Sequence, residues 1–185
     1  AVTKHTSRIK SAVQLLNNIL NDFLSLEKLE AGVVVVNQQK INVVHLGEEI
    51  TGEMQMICKK NQHIVYQHTG ANAEFELDAH LLKSSIINLI SNAIKYSGED
   101  TFIEFTTEIT DTECTIVIRD NGIGIPEEDQ KNLFEPFFRA HNTGNIPGTG
   151  LGLNIVKRYV ALMGGELEYW SAIHKGTSFK MTFQK

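Results

Sequence analysis

The chain has 185 residues, 42% of them hydrophobic, which suits one domain core with an appended helix. Its 17 lysines and arginines against 22 aspartates and glutamates leave a net charge of −5, which argues against nucleic acid as a partner and offers no attraction to an anionic membrane surface. No apolar run approaches the roughly 20 residues of a membrane span and no signal peptide is visible; Cys58, in a helical stretch, and Cys114, at the start of a strand, lack C-x-x-C spacing and read as reduced thiols.

In chain order, Ile9, Val13, Leu16, Leu20 and Phe23, with Ala12, Ile19 and Leu26 beside them, repeat every three or four residues. They predict a long amphipathic helix, ended by Gly32, whose broad apolar stripe wants a partner. His5 precedes this stripe and reads as a solvated histidine near a frayed terminus. A strand is predicted near Lys40 to Asn42, a helix from about Val44 to Lys60, and strands near His63 to Gln67 and Glu74 to Leu77.

The next helix begins at Asp78, a good N-cap, and carries Leu82, Ile86, Leu89 and Ala93 at helical spacing. Within it Asn88, Asn92 and Lys95 stand four and three residues apart, so two amides and an ammonium share one stripe. The plain explanation is a pair of asparagines satisfied by neighbouring backbone. An amide oxygen is equally a hard ligand for magnesium, which keeps most of its waters and sits among phosphates.

Phe102 to Thr106 and Thr115 to Ile118 alternate as strands. The latter runs into Asp120-Asn121-Gly122-Ile123-Gly124-Ile125-Pro126, where two glycines let the backbone approach a flat ligand beside the Asp120 carboxylate. Phe134-Glu135-Pro136-Phe137-Phe138-Arg139 follows, its phenylalanines suited either to docking or, preferably, to packing the base of a loop onto the sheet. Gly148-Thr149-Gly150-Leu151-Gly152-Leu153 then opens a helix predicted from Leu151 to Met163, and its free amides suit phosphate. Six of the 14 glycines and all three prolines fall between Gly122 and Gly152, so this stretch can fold over a ligand as a lid. Glu166 to Tyr169 and Thr177 to Phe183 read as a closing hairpin. Helices on one face of a mixed sheet give an α+β two-layer sandwich. His45, His63, His68, His80, His141 and His174 lack metal spacing and are assigned no chemistry.

From about Ile41 onward these segments resemble the ATP-binding catalytic domain of sensor histidine kinases, in the GHKL ATPase superfamily. They are similar to its N box, first glycine box, F box and second glycine box. The resemblance implies that Asp120 hydrogen-bonds the adenine amino group, that Asn92 holds Mg2+, and that Asn88, Lys95 and Tyr96 line the nucleotide. It implies that Arg139 reaches the phosphates when the lid closes, that Gly150, Leu151 and Gly152 supply amides to the phosphate chain, and that Thr177 places a hydroxyl near adenine. Gly122, Gly124, Ile125, Gly148, Thr149 and Leu153 complete the nucleotide-binding set. Asn92, Lys95 and Arg139 are the residues expected to act in catalysis.

Asn21 to Gly32 resembles the end of the second helix of that family's dimerisation and phosphoacceptor hairpin. Residues 1–32 are therefore expected to belong to the hairpin and 33–185 to the catalytic domain. The first hairpin helix is not in the sequence, and Thr6-Ser7-Arg8 lacks the acidic residue and proline of the family's H box. ATP-hydrolysing members of the superfamily carry a water-activating glutamate four residues before the magnesium-binding asparagine; here that position is Asn88, and an amide is no general base. The resemblance implies a protein-histidine kinase that passes the ATP γ-phosphate to a histidine and thence to a response-regulator aspartate. It implies a homodimeric parent and a cytoplasmic location, alone or as the cytosolic part of a membrane-anchored receptor. A nucleotide-sensing module without transfer, a pseudokinase, is the alternative.

Overall fold

The computed structural model describes residues 2–144 and 146–185, with side chains defined for Val13, Leu16, Asn17 and from Ile19 onward, Asn145 apart. The expectations resting on the His5, Ile9 and Ala12 side chains and on Asn145 lie outside the described residues.

Helix α1 spans Val2–Glu30 and leads through an extended segment to β1 (Gln39–Asn42), which pairs antiparallel with β3 (Glu74–Leu77) in a two-stranded ribbon. The main sheet has five strands, in the order β2 (His63–Thr69), β4 (Phe102–Ile109), β5 (Glu113–Asp120), β7 (Gly176–Gln184) and β6 (Glu166–Ala172). The β2 and β4 pair is parallel and the others antiparallel, so the sheet is mixed. Alternation sets its buried face: Ile103, Phe105 and Ile109 on β4, Cys114, Ile116 and Ile118 on β5, and Phe179, Met181 and Phe183 on β7 all belong to the core. Helices α2 (Val43–Gln55), α3 (Ala79–Tyr96) and α5 (Gly152–Leu162) pack on the sheet from that side. This is the expected two-layer sandwich with a long N-terminal helix.

The Asp78 cap on α3 accepts from the amides of His80 at 2.9 Å and Leu81 at 3.0 Å, and its second carboxylate oxygen accepts from Asn37 N at 2.8 Å. Behind the cap, Leu82, Ile86, Leu89 and Ala93 are buried, as their spacing requires. The predicted extent of α2 needs correction: it ends at Gln55, well before Lys60. Gln62, 1% exposed, draws the chain inward there, donating to Ser97 Oγ at 2.9 Å and Gly98 O at 3.1 Å, while its Oε1 accepts from Lys59 N at 3.0 Å. Cys58 consequently lies in the turn after α2 rather than in a helix.

The strands also run further than alternation alone indicated, because polar residues such as Thr69 and Glu108 continue the β2 to β4 ladder. A one-turn helix α4 (Glu127–Gln130) and a 3-10 turn at His141–Thr143 within the lid had no periodic signal. The C-terminal part of α1 lies against α5, with Leu26 buried and Leu29 packed on the core. Among the described residues no helix is long and apolar enough to cross a membrane.

Candidate functional site

The β5 alternation that buries Cys114, Ile116 and Ile118 also turns Asp120, the last residue of the strand, to the helix side of the sheet. Asp120 is 8% exposed and pairs across the ladder with Thr177 on β7. The Gly122 amide donates to its Oδ1 at 2.7 Å. Burial nevertheless pushes its carboxyl from an ordinary 3.8 up to about 6, against the lowering by the amides of Gly122 and Thr177. A carboxylate held this dry at the end of an apolar strand is poised to accept a proton or a hydrogen bond.

Asp120 forms the floor of a cleft between α3, the start of α5 and the lid. Asn88, Asn92, Lys95 and Tyr96 line its α3 wall, the stripe drawn from their spacing. Burial holds the Lys95 ammonium below the usual lysine range, with Asp22 opposing that shift and Arg139 adding to it. Asn88 donates to Ser84 O at 3.2 Å, and a Cβ at Gly152 would come 2.9 Å from Asn88 Oδ1, so a side chain there would displace the Asn88 amide. Gly150, at φ +73°, brings the loop equally close to the Phe137 carbonyl.

α2 and α3 have side-chain caps, but α5 has none at Leu151. Its first turn is therefore left with amides free to donate to a ligand at the cleft, which Gly148, Thr149, Gly150, Gly152 and Leu153 line.

The lid opens at Arg139, which lines the cleft and donates to the carbonyl of Ile146. Its first turn is pinned by polar contacts that the sequence did not reveal. The buried Asp129 accepts from the His141 backbone amide at 2.8 Å and meets its ring Nδ1 at 2.6 Å, and Asn142 Nδ2 donates to Gly124 O at 2.8 Å. His141 is thus a structural anchor of the lid. The F box is divided in its roles. Phe134 stacks edge-on against Tyr169 with centroids 5.6 Å apart, and Phe138 lines the cleft. Phe137, at φ +64° and 62% exposed, does not pack as expected.

Most residues singled out from the sequence line this one cleft, Gly124, Ile125 and Thr177 included. Two stand elsewhere. Gly122 lies behind Asp120 as its amide donor, and Leu151 puts its side chain into the core while its amide donates to Thr149 Oγ1 at 3.2 Å. The sequence reading missed the apolar walls, Ile118, Ile123, Leu133 and Phe179, which suit a flat ring. Strand parity could have found two of them, since Ile118 shares a face with Asp120, and Phe179 with Thr177. It also missed Asp22, which reaches the cleft from α1.

Fold and cleft together define a nucleotide-binding α/β sandwich with a glycine-framed lid. The chain belongs to the histidine kinase-, DNA gyrase B- and HSP90-like ATPase family, whose model matches residues 77–185. It is 33% identical over 178 residues to the signal transduction histidine-protein kinase ArlS of Staphylococcus aureus (strain USA300), covering 93% of this chain and 39% of that protein. Of solved structures, it is similar to the catalytic domain of the histidine kinase ThkA, with 27% identity and a TM-score of 0.70 over 80% of this chain and 96% of that one. It shares its fold with full-length ShkA in complex with AMPPNP, with 20% identity and a TM-score of 0.81 over 98% of this chain and 38% of that one. The chain spans 39% of the length of the curated relatives it matches. Within that family, the relatives it resembles here are histidine kinases.

Proposed function

We propose that residues 33–185 bind ATP with magnesium and transfer its γ-phosphate to a histidine on a phosphoacceptor hairpin, for relay to a response-regulator aspartate, and that residues 1–32 are the second helix of that hairpin. One observation carries this reading: a buried carboxylate and an uncapped helix N-terminus line the same cleft, one fit to accept from adenine and the other to donate to phosphate.

Asp120 accepts from the adenine amino group, and Thr177, whose Oγ1 lies 2.8 Å from Ser171 Oγ, offers a hydroxyl beside it. Ile123, Leu133 and Phe179 exclude water from the ring. The phosphates lie along α3 towards the first turn of α5, where Lys95 and Arg139 offset their charge without covalent chemistry. Asn92 brings one hard amide oxygen to the cleft, a donor that fits magnesium, which would supply further charge neutralisation between the phosphates. Asn88, tied to Ser84 O, has no basic group with which to activate water, so the γ-phosphate waits for a histidine placed in line. With Lys95, Arg139 and Asn92 all on the cleft, transfer is favoured over nucleotide sensing alone.

The test is phosphotransfer. The chain, mixed with its hairpin carrying the acceptor histidine and γ-labelled ATP, should yield acid-labile label on that histidine. Nucleotide binding with no transfer under these conditions would select the pseudokinase instead.

A further inference from the structure

On α1, Asp22, Leu26 and Leu29 are spaced four and three residues apart and share a face. Leu26 is buried and Leu29 packs on the core, so the face that docks α1 also carries Asp22 into the cleft. There Thr149 Oγ1 donates to Asp22 Oδ2 at 2.8 Å, a contact between residues 127 apart in sequence. The same Thr149 oxygen accepts from Leu151 N, an amide expected to face phosphate, at 3.2 Å. Asp22 thus holds a carboxylate against the second glycine box, near enough to Lys95 for each to act on the other's proton affinity.

We propose that Asp22 occupies the phosphate end of the cleft, so that docking of α1 and binding of nucleotide phosphate exclude each other at Thr149. The inference rests on the cleft being an ATP site. A carboxylate and a phosphate chain at the same end of the cleft would repel and compete for the same donors, Thr149, Lys95 and the α5 amides. Coupling of this kind is reciprocal: α1 weakens nucleotide binding by the factor with which nucleotide loosens α1. ATP occupancy would therefore release the helix attached to the phosphoacceptor region, and a redocked helix would help expel nucleotide.

The test uses the whole chain with magnesium and a non-hydrolysable ATP analogue. By calorimetry, Asp22→Asn and Asp22→Ala should each bind the analogue about tenfold more tightly than wild type, within the usual range of such couplings. In wild type, which needs no variant to fold, amide exchange across residues 20–30 should quicken when analogue is added. Equal affinity in folded variants, or unchanged exchange across 20–30, overturns the proposal. Weaker magnesium-dependent binding in the variants overturns it too and makes Asp22 part of the nucleotide site. Absence of binding in all three proteins overturns the ATP reading itself.

Discussion

At the scale of single residues the site turns on Asp120. Its folded pKa, about 6, lies above the unfolded 3.8, so its contribution to stability is fully present below 3.8 and lost as pH rises through 6. With about 1.4 kcal/mol per pKa unit, the ionised group costs the ligand-free fold up to about 3 kcal/mol at pH 7. Asp120→Asn should therefore raise the Tm of the ligand-free protein at pH 7 while weakening ATP binding, and scanning calorimetry with a nucleotide titration reads both. Nucleotide affinity of the wild type should fall between pH 7 and pH 5 as the acceptor protonates, with a flatter profile for Asp120→Asn. Asp120 was legible in the sequence because it ends an apolar strand beside two glycines. Asp22 was not, because nothing in a helical stripe tells which distant loop it will meet.

Among the elements, the lid and α5 behave as one device. The first turn of α5 has no side-chain cap and can donate to an anion, and the lid between Arg139 and Gly148 has little apolar anchorage, so amide exchange from 139 to 148 should slow when an ATP analogue is added. Equal exchange with and without analogue would count against a lid that closes over phosphate. Asp129 holds the foot of this lid through both its oxygens. Asp129→Ala should lower the Tm and quicken exchange at 139 to 144 in the ligand-free protein, and an unaltered exchange pattern would deny it the anchoring role. Helices and strands with clear periods were legible in the sequence, and the glycines and prolines marked the turns that frame the cleft. The end of α2 and the anchoring of the lid were not, because Gln62, Asp129 and His141 act through partners remote in sequence or across a loop, where no period operates.

For the whole molecule the outstanding feature is α1. Leu16, Leu20 and Phe23 are 69%, 53% and 52% exposed, a stripe that a soluble chain seldom leaves in water. We expect this stripe to pair with the same helix of a second copy, giving a dimer by sedimentation that Leu16→Lys with Phe23→Lys converts to monomer; a wild-type monomer at high concentration would contradict it. From sequence alone, residues 1–32 stand as a unit apart from the ATP site. Its periodicity gave the helix and its exposed side correctly, but Asp22 on the docked side ties α1 to the cleft.

The most direct test of the central claim, that this cleft is the ATP site of a histidine kinase catalytic domain, is a calorimetric titration of wild type and Asp120→Ala with a magnesium complex of a non-hydrolysable ATP analogue. Loss of a buried, charge-assisted hydrogen bond should weaken binding by about ten- to a hundredfold. No binding by the wild type, or equal affinity in the two proteins, would contradict the account.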